Sequence, residues 1–537
     1  MNKLTQKYKQ NPKEYIGIVI SFSMFLFLAM YKLTDACLWL DETLEYYIGR
    51  TMTGYIPWYS NNGVTVTHNM YERMLGAFQP PLYNFASYFW LLISDTEWWF
   101  RFSGVLMSGI AAIGIYQTVK KFSTYRVAAT SVVLYSCIYQ IMYYTQECGE
   151  YIMLVMFLAW LFKVYLEAME KPTVRNLSVF VLLCVATVYT QYGAAFVIVP
   201  LVGSVLWKLY KEKEWKNLKA YLIACALAGG LGGIPLIFLF VIPQLANQTS
   251  MATNPEAWNF YQNSVFADLL QMFLDVFRWN TIESFTRFYW LALFASMFII
   301  ALGIFYCLKG KNIVLKHLLV CNVCTWFLYY LPTRAGVYGR GYFGFRYNIF
   351  FIPMWLITFL YLFYECYQML LQISDKKKRK LARTAYQTVM IVAAVGYCVY
   401  GSHQILKHWE KADVRGCVQA WYQEEGYQKM TFVEPGQVPS FSYYYEHNES
   451  YQPSFDKNVV REVSKYAENQ RVSDEYRINY DAYRAEMEEK FADGWPEGIY
   501  CFVGDINENP LIDVFVDEGY QVREVYRTTS QLYYLYK

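Results

Sequence analysis

The sequence predicts a mostly α-helical polytopic membrane protein with a small α/β domain at its C-terminal end. Of its 537 residues, 55% are hydrophobic and 17% are charged, whereas a soluble globular domain is about 25% charged. Long apolar runs fill the chain up to residue 405, and charged residues become frequent after it. The net charge of +3 is small, and no basic stripe with interleaved aromatic residues is present, so we expect no nucleic-acid partner.

Eleven segments have the apolar length that a membrane-spanning helix needs, roughly 20 residues. The first follows a lysine-rich N-terminus and has no small-residue cleavage site after it, so we expect an uncleaved anchor that starts in the cytoplasm. The predicted spans are residues 15–33, 102–119, 127–145, 150–167, 177–193, 194–209, 220–243, 288–308, 315–332, 346–368 and 385–405.

The distribution of basic loops supports this threading. With the N-terminus inside, the connections at residues 120–126, 171–175, 208–219, 309–316 and 376–383 all become cytoplasmic, as the positive-inside rule expects. Counting the apolar segment Pro80–Ser94 as another span would put all five outside. We therefore expect a short helix in the outer interface there, which suits Trp90.

The threading divides the chain into two predicted domains. Residues 1–405 form a transmembrane domain, with a first outer loop at 34–101 and a second at 244–287. Residues 406–537 form an extracytoplasmic α/β domain, because strand-like runs alternate there with helical stretches. The predicted strands are Lys429–Val433, Ile499–Val503, Gln521–Tyr526 and Gln531–Tyr536, and the predicted helices are Asp413–Glu425 and Pro510–Glu518.

Two adjacent carboxylates, Asp41 and Glu42, follow the first span. On a helix or turn they point in different directions, so one can meet a substrate while the other binds a partner or a metal. A carboxylate near a membrane face can act as a general base. The alternative is structural, with Asp41 capping a helix that begins at Glu42.

Three arginines, Arg334, Arg340 and Arg346, lie in a loop that the threading puts outside, against the positive-inside tendency. The guanidinium group matches phosphate geometry and keeps its charge near lipid. Arg346 stands with Tyr347 at the start of a span. The alternative for Arg334 and Arg340 is that their side chains reach toward lipid headgroups.

Two further polar stretches are predicted on the same outer side. Gln146, Glu147 and Glu150 lie in a turn between two spans, and Gln79 precedes two prolines that fix the start of the interfacial helix. The turn is equally consistent with a hairpin that needs only to stay hydrated. The five histidines are isolated in sequence and are expected at the surface.

Together these stretches resemble the GT-C superfamily of integral membrane glycosyltransferases. Within this superfamily they look like the branch of bacterial relatives of the protein O-mannosyltransferases and the lipid A aminoarabinose transferases. The resemblance covers most of residues 30–365 and rests on the order and spacing of its motifs. They are Asp41-Glu42, Gln79 to Tyr83, Thr96-Glu97, Arg101 to Gly104, Gln146 to Tyr151, Tyr189 to Tyr192, and Arg346-Tyr347 with Pro353, and the tail from Ala412 to Gly416 adds to them.

The resemblance implies a cell-membrane enzyme that transfers a sugar, with inversion, from a polyprenyl-phosphate donor to an extracytoplasmic glycan, lipid or protein. Asp41 would be the catalytic base, and Glu42 would support it or bind the acceptor or a metal. Arg346 would face the donor phosphate, with Glu147 near the site. No ligand set for a metal is defined, so a divalent cation stays possible but unassigned.

Two positions depart from the family pattern. Gly149-Glu150 stands where relatives often have an arginine, and Gln191 stands where many have a histidine. These departures predict altered substrate contacts or a loss of activity. A transporter or lipid flippase is the main alternative function, because Gly229-Gly230 and Gly232-Gly233 could break a helix within the membrane. A non-catalytic assembly or sensory protein is the third.

Overall fold

The computed structural model describes residues 12–51, 70–76, 79–247, 285–335, 338, 346–407, 409, 411–434, 437–461, 476–504 and 510–537. The chain divides into two compact units, each built from segments that are distant in sequence. The helical unit comprises Met1–Tyr31, Met74–Ala86 and Arg101–His408, and the sheet unit comprises Lys32–Arg73, Ser87–Phe100 and Trp409–Lys537. The sheet unit therefore combines the C-terminal tail with segments of the predicted first outer loop.

The described residues hold eight helices that are long and apolar enough to cross a membrane, or nine if one bent pair counts as a single span. The eight are Pro12–Met30, Glu97–Phe122, Glu150–Glu170, Tyr192–Lys211, Trp215–Ala246, Ile313–Arg334, Phe351–Leu371 and Lys376–Lys407, and the bent pair is Tyr125–Ser136 with Tyr139–Thr145. The two other predicted spans coincide with the helices Val174–Val188 and Phe285–Lys309. A helix thus occupies each of the eleven predicted positions, and the mostly helical membrane fold is confirmed.

The bent pair differs from the single straight span predicted at residues 127–145. Its two helices meet at an angle of 69°. Ile138 is extended, which interrupts the helical hydrogen bonds. A Cβ atom at Gly401 would overlap the carbonyl oxygen of Cys137, so the helix Lys376–Lys407 approaches the break as closely as only glycine allows.

The glycine-rich span does not break. Gly229–Gly233 forms a π-helical segment inside the continuous helix Trp215–Ala246. Within it the Tyr189 hydroxyl donates a hydrogen bond to the Gly232 carbonyl at 2.7 Å. The broken helix that would have favoured a transporter is therefore absent from this described segment.

Shorter helices lie between the spans and in the tail. Leu82–Leu91 has 10 residues, which is too short to cross a bilayer. The others are Leu40–Thr51, Met70–Gly76, Val414–Gln423, Val438–Glu446, Tyr476–Lys490 and Pro510–Asp517, with 3₁₀ turns at Tyr192–Ala194, Arg346–Asn348, Gly426–Gln428 and Pro453–Phe455. Most of the predicted second outer loop, residues 248–284, lies outside the described residues.

The sheet unit contains a five-stranded sheet in the order β2-β1-β3-β5-β4. The strands are β1 Met430–Val433, β2 Val459–Arg461, β3 Gly498–Val503, β4 Gln521–Arg527 and β5 Gln531–Tyr536. β1 pairs in parallel with β2 and β3, and β5 pairs antiparallel with β3 and β4. The helix Pro510–Asp517 buries Leu511, Val514 and Phe515 in the core beside the sheet. The predicted small α/β domain is confirmed.

Candidate active-site residues

In the sheet unit, Asp41 and Glu42 lie in the first turn of the helix Leu40–Thr51. Carboxylates are favourable there because the helix N-terminus carries partial positive charge. The Glu42 carboxylate accepts a hydrogen bond from the backbone N–H of Trp39 at 3.4 Å, which caps the first turn. Glu42 is fully buried, whereas Asp41 stays partly exposed. The two neighbouring carboxylates therefore have different surroundings.

Glu42 is paired with Lys411, a residue of the C-terminal tail. Their charged groups are 2.7 Å apart, and the Lys411 side chain is 5% exposed. The Lys411 ammonium also lies 5.6 Å from the centre of the Trp39 ring. Its carbonyl oxygen accepts a hydrogen bond from Thr529 at 2.8 Å, which fixes the lysine backbone against the sheet. Lys411 neutralises Glu42 and ties the helix that carries Asp41 to the C-terminal tail.

A second, partly buried cluster fixes the segment around Glu97. The Arg415 guanidinium lies 2.8 Å from the Glu97 carboxylate and donates to the carbonyl of Thr34 at 3.0 Å. The Tyr444 hydroxyl donates to Glu97 at 3.0 Å and accepts from the backbone N–H of Leu38 at 2.7 Å. Glu97 thus connects the stretch just before Asp41 with two segments of the tail.

Asp413 caps the helix Val414–Gln423 and accepts from the backbone N–H of Gly416 at 3.0 Å. Burial disfavours its charged form, but hydrogen bonds from the Tyr526 hydroxyl, at 2.6 Å, and from Gly416 outweigh burial and lower the pKa of Asp413. The lowered pKa keeps this carboxylate ionised as the acceptor of a hydrogen-bond network. Its role in the sheet unit is to hold the tail together.

His447 is an exposed residue, as the sequence predicted, but neighbouring side chains cover part of its ring and leave 28% of the side chain exposed. Its ring stacks on Tyr443, with ring centres 4.2 Å apart, and its Nε2 lies 3.3 Å from the Tyr46 hydroxyl. Burial lowers the pKa of His447 and outweighs the nearby Asp95. This histidine helps to seat the helix Leu40–Thr51 against the helix Val438–Glu446.

In the helical unit, Arg346 lies in a 3₁₀ turn just before the helix Phe351–Leu371. Its guanidinium is 5.1 Å from the centre of the Tyr347 ring. The Tyr338 hydroxyl donates to the Tyr347 carbonyl at 3.0 Å and thereby holds the turn. A Cβ atom at Gly193 would overlap that hydroxyl, so the turn after Gln191 approaches Tyr338 closely.

Two buried carboxamides belong to this region. Both polar atoms of the Gln191 side chain, and the Nδ2 atom of Asn348, have no hydrogen-bond partner among the described residues. Gln191 is 5% exposed and Asn348 is 4% exposed. Buried polar groups nearly always have partners, so such atoms indicate a place where a ligand or water binds. With Arg346 and Tyr347 they form what is called here the arginine cluster.

The turn that contains Gln146, Glu147 and Glu150 also belongs to the helical unit. All three side chains are buried. Gln146 donates to the carbonyls of Ala29 and Tyr31, at 3.0 and 2.8 Å, and so holds the end of the first span. These contacts give Gln146 a structural role, and its role in substrate binding stays a prediction.

Glu150 is an acidic side chain close to the arginine cluster. Removal of Tyr338 from water raises the pKa of its hydroxyl well above the usual value, and Glu150 contributes to the rise. The hydroxyl of Tyr151 interacts electrostatically with both Glu150 and Arg346. These interactions add Glu150 to the residues around the cluster, and Glu147 stays a predicted site residue.

Gln79 is held through Gln244. The Gln244 amide donates to the carbonyls of Met74 and Gln79, at 2.9 and 2.8 Å, and its oxygen accepts from the Tyr192 hydroxyl at 2.7 Å. Leu82 donates its backbone N–H to the carbonyl of Tyr189 at 3.0 Å. The proline-rich stretch therefore packs beside the turn that carries Gln191.

The remaining predicted site residues are less informative. Arg334 ends the helix Ile313–Arg334 and is exposed. Arg340 lies outside the described residues. In the part of the chain that the structure describes, no group of three or more His, Cys, Asp and Glu side chains is arranged to hold a metal ion.

The sequence did not single out Lys411 or Arg415 as site residues. The signal was nevertheless present, because two basic residues flank Asp413 immediately after the last predicted span. Their partners, Glu42 and Glu97, are more than 300 residues away in sequence. Nothing in the sequence alone pairs these charges.

The long apolar helices and the small mixed sheet are those of a multi-pass membrane protein, and its fold and sequence can be compared with known proteins. Residues 79–230 match the family described as dolichyl-phosphate-mannose-protein mannosyltransferase. This match includes Gln79, the turn around Glu147, and Gln191. A comparison with curated proteins gives no match in sequence.

Solved structures confirm the GT-C fold. The chain is similar to ArnT from Cupriavidus metallidurans bound to undecaprenyl phosphate, with a TM-score of 0.54 and 10% identity over 98% of each chain. It is also similar to the apo oligosaccharyltransferase of Archaeoglobus fulgidus, with a TM-score of 0.55 and 11% identity over 92% of this chain and 70% of that one. AglB from the same archaeon, in complex with an inhibitory peptide and a dolichol-phosphate, gives a TM-score of 0.51 and 12% identity over the same shares.

Proposed function

We propose that this protein is a membrane glycosyltransferase that transfers a sugar, with inversion, from a polyprenyl-phosphate donor to an extracytoplasmic acceptor. The observation that carries the proposal is the arginine cluster, where a guanidinium and buried carboxamide atoms without described partners lie at the start of a membrane-spanning helix. Such a cluster fits a ligand that is both phosphorylated and embedded in lipid.

Arg346 binds the donor phosphate in this proposal. A polyprenyl chain confines its phosphate to the bilayer, so the protein groups that recognise the phosphate must lie at a membrane interface. Arginine presents two parallel N–H donors to two phosphate oxygens. The packing of its guanidinium on Tyr347 limits the freedom that binding must remove. The similar structures that hold undecaprenyl phosphate and dolichol-phosphate support this donor class.

Asp41 acts as the catalytic base in this proposal. It removes the proton from an acceptor hydroxyl while the acceptor oxygen bonds to the anomeric carbon of the sugar. The bond from that carbon to the phosphate oxygen breaks, and the oxygen keeps the electron pair. The leaving polyprenyl phosphate gains negative charge, which Arg346 stabilises. A single displacement of this kind inverts the anomeric configuration.

Glu42 has a supporting role in this proposal. Its charge is already neutralised by Lys411 at 2.7 Å, and its side chain is fully buried. A buried, paired carboxylate is a poor base and a poor metal ligand. Asp41 is only partly buried, so it is the better candidate for contact with an acceptor.

We further propose the membrane topology that the basic loops indicate, with a cytoplasmic N-terminus and an extracytoplasmic domain from residue 406. The acceptor, a glycan, lipid or protein, is then met outside the cytoplasm.

Purified full-length protein in lipid nanodiscs, incubated with a panel of polyprenyl-phosphate sugars and envelope extract, tests the proposal. Mass spectrometry would follow the release of polyprenyl phosphate and the mass added to the acceptor. We expect one donor to be consumed with equal amounts of both products. Consumption of nucleotide sugars instead, or movement of intact donor between leaflets without bond cleavage, would contradict it.

A further inference from the structure

A cavity of about 550 Å³ opens between the membrane-spanning helices Tyr192–Lys211 and Ile313–Arg334. None of the residues of the arginine cluster lines it. The residues that matter in its lining are Ser204, Trp207, Lys211, Lys316, His317 and Cys324. Lys211 is the last residue of one helix and Lys316 lies in the first turn of the other. The cavity is therefore at the basic ends of both helices, at the depth where lipid headgroups lie.

The polar side chains of the cavity form a short hydrogen-bonded chain. The Nδ1 atom of His317 lies 2.9 Å from the Ser204 hydroxyl, which lies 2.8 Å from the Tyr165 hydroxyl. Tyr165 is fully buried. Because Nδ1 is engaged by Ser204, the other ring nitrogen of His317 is the one that can meet a ligand in the cavity.

The two lysines of the cavity have no charge partner in the described part of the chain. Lys208, one turn before Lys211, is paired with Glu212 at 3.6 Å, but neither Lys211 nor Lys316 forms an ion pair among these residues. The position of Lys316 is also unfavourable by itself, since a cation near a helix N-terminus opposes the helix dipole. An anion bound in the cavity would compensate both charges.

The cavity walls indicate that the anion belongs to a lipid. Trp207 and Val320 line the cavity and are each 56% exposed on helices that span the membrane. Apolar walls on membrane-spanning helices contact acyl chains, so a phospholipid whose chains lie along them can place its phosphate in the cavity. Basic pockets between membrane helices are suited to anionic headgroups.

We propose that this cavity binds one anionic phospholipid, with its phosphate held by Lys211, Lys316 and His317 and its acyl chains along Trp207 and Val320. The site is separate from the proposed glycosyl transfer and does not depend on it. The bound lipid would neutralise the basic ends of these two helices.

Native mass spectrometry of the detergent-purified full-length protein measures the affinity for phosphatidylglycerol and for phosphatidylcholine with the same acyl chains. We expect the first phosphatidylglycerol to bind about 25-fold more weakly to the double variant Lys211→Ala/Lys316→Ala, since each lysine near anionic lipid contributes roughly fivefold. The matched control Lys216→Ala/Lys309→Ala removes two exposed lysines that do not line the cavity, and it should bind as the wild type does. Equal losses in both variants, or no loss in either, would overturn the proposal.

Alkylation of Cys324 provides a second measurement that needs no variant. This thiol lines the cavity and is exposed. We expect phosphatidylglycerol to slow its reaction with a membrane-permeant maleimide at least fivefold relative to phosphatidylcholine, as read by peptide mass spectrometry. Equal protection by phosphatidylcholine, or protection by inorganic phosphate alone, would overturn the lipid assignment.

Discussion

The ammonium group of Lys411 lies 2.7 Å from the carboxylate of Glu42, and both side chains are buried. The pair joins the helix that carries Asp41 to the first residues of the C-terminal tail, across 369 positions of sequence. A buried ion pair of this kind contributes little net stability, but removing one partner leaves an uncompensated buried charge. Lys411 is therefore expected to control the position of Asp41 through Glu42.

The first prediction concerns this pair. Lys411→Met should destabilise the protein by about 3–5 kcal/mol, because Glu42 is left charged and buried. The double variant Glu42→Gln/Lys411→Met removes both charges and should recover most of the loss. The apparent Tm of the purified protein in detergent measures both effects. Lys429→Met, which changes an exposed lysine of the same unit, serves as the control, and an equal loss in the two single variants would contradict the interpretation.

The second prediction concerns the proposed phosphate ligand. Arg346→Lys keeps the charge but loses the two parallel donors, so we expect sugar transfer to fall by about 10- to 100-fold, mainly through weaker donor binding. Initial rates at increasing donor concentration measure the effect. Arg175→Lys, at an exposed position in the first turn of the helix Val174–Val188, is the matched control. An Arg346→Lys variant with wild-type KM for the donor would exclude Arg346 as the phosphate ligand.

The third prediction separates a ligand contact from a structural role at Gln191. Gln191→Leu removes two buried atoms that have no partner among the described residues, so stability should rise by about 1 kcal/mol. Sugar transfer should fall at the same time if these atoms contact the substrate. The apparent Tm and the transfer rate are measured on the same preparation. A lower Tm would contradict the predicted gain in stability, and an unchanged transfer rate would contradict a substrate contact of Gln191.

The fourth prediction follows from the lowered pKa of Asp413. A carboxylate whose folded pKa lies below its unfolded value stabilises the protein above the unfolded pKa, about 3.9 for aspartate, and this contribution is lost as the pH falls through the folded pKa. The Tm difference between wild type and Asp413→Asn should therefore be constant from pH 7 to about pH 4 and shrink below it. A Tm difference that grows as the pH falls would contradict a lowered pKa for Asp413.

Most of the fold could be predicted because hydropathy and basic loops are local signals. A helix occupies every predicted span, and four of the five strands lie where short strand-like runs predicted them. The strand β2 was missed because three residues give too short a pattern. The 69° bend after Ser136 was missed because the apolar pattern of residues 127–145 continues through it without a proline or glycine.

The candidate site was predictable only in part. Motif order pointed to Asp41 and Arg346, but the different surroundings of Asp41 and Glu42 depend on Lys411, which no local pattern connects with them. Gln191 drew attention as a departure from the family pattern, whereas its lack of a described partner is a property of the fold. Pairing over hundreds of residues is decided by tertiary packing.

The fifth prediction concerns the central claim, that Asp41 is the catalytic base. The most direct measurement is the rate of a single round of sugar transfer by Asp41→Asn with a saturating polyprenyl-phosphate sugar. The variant keeps the size and polarity of the side chain but removes the base, so we predict a loss of about 10³-fold with an unchanged Tm. Asp35→Asn changes an exposed residue of the same predicted outer loop, and this variant should transfer sugar at the wild-type rate. Transfer by Asp41→Asn at the wild-type rate would contradict the assignment of Asp41 as the catalytic base.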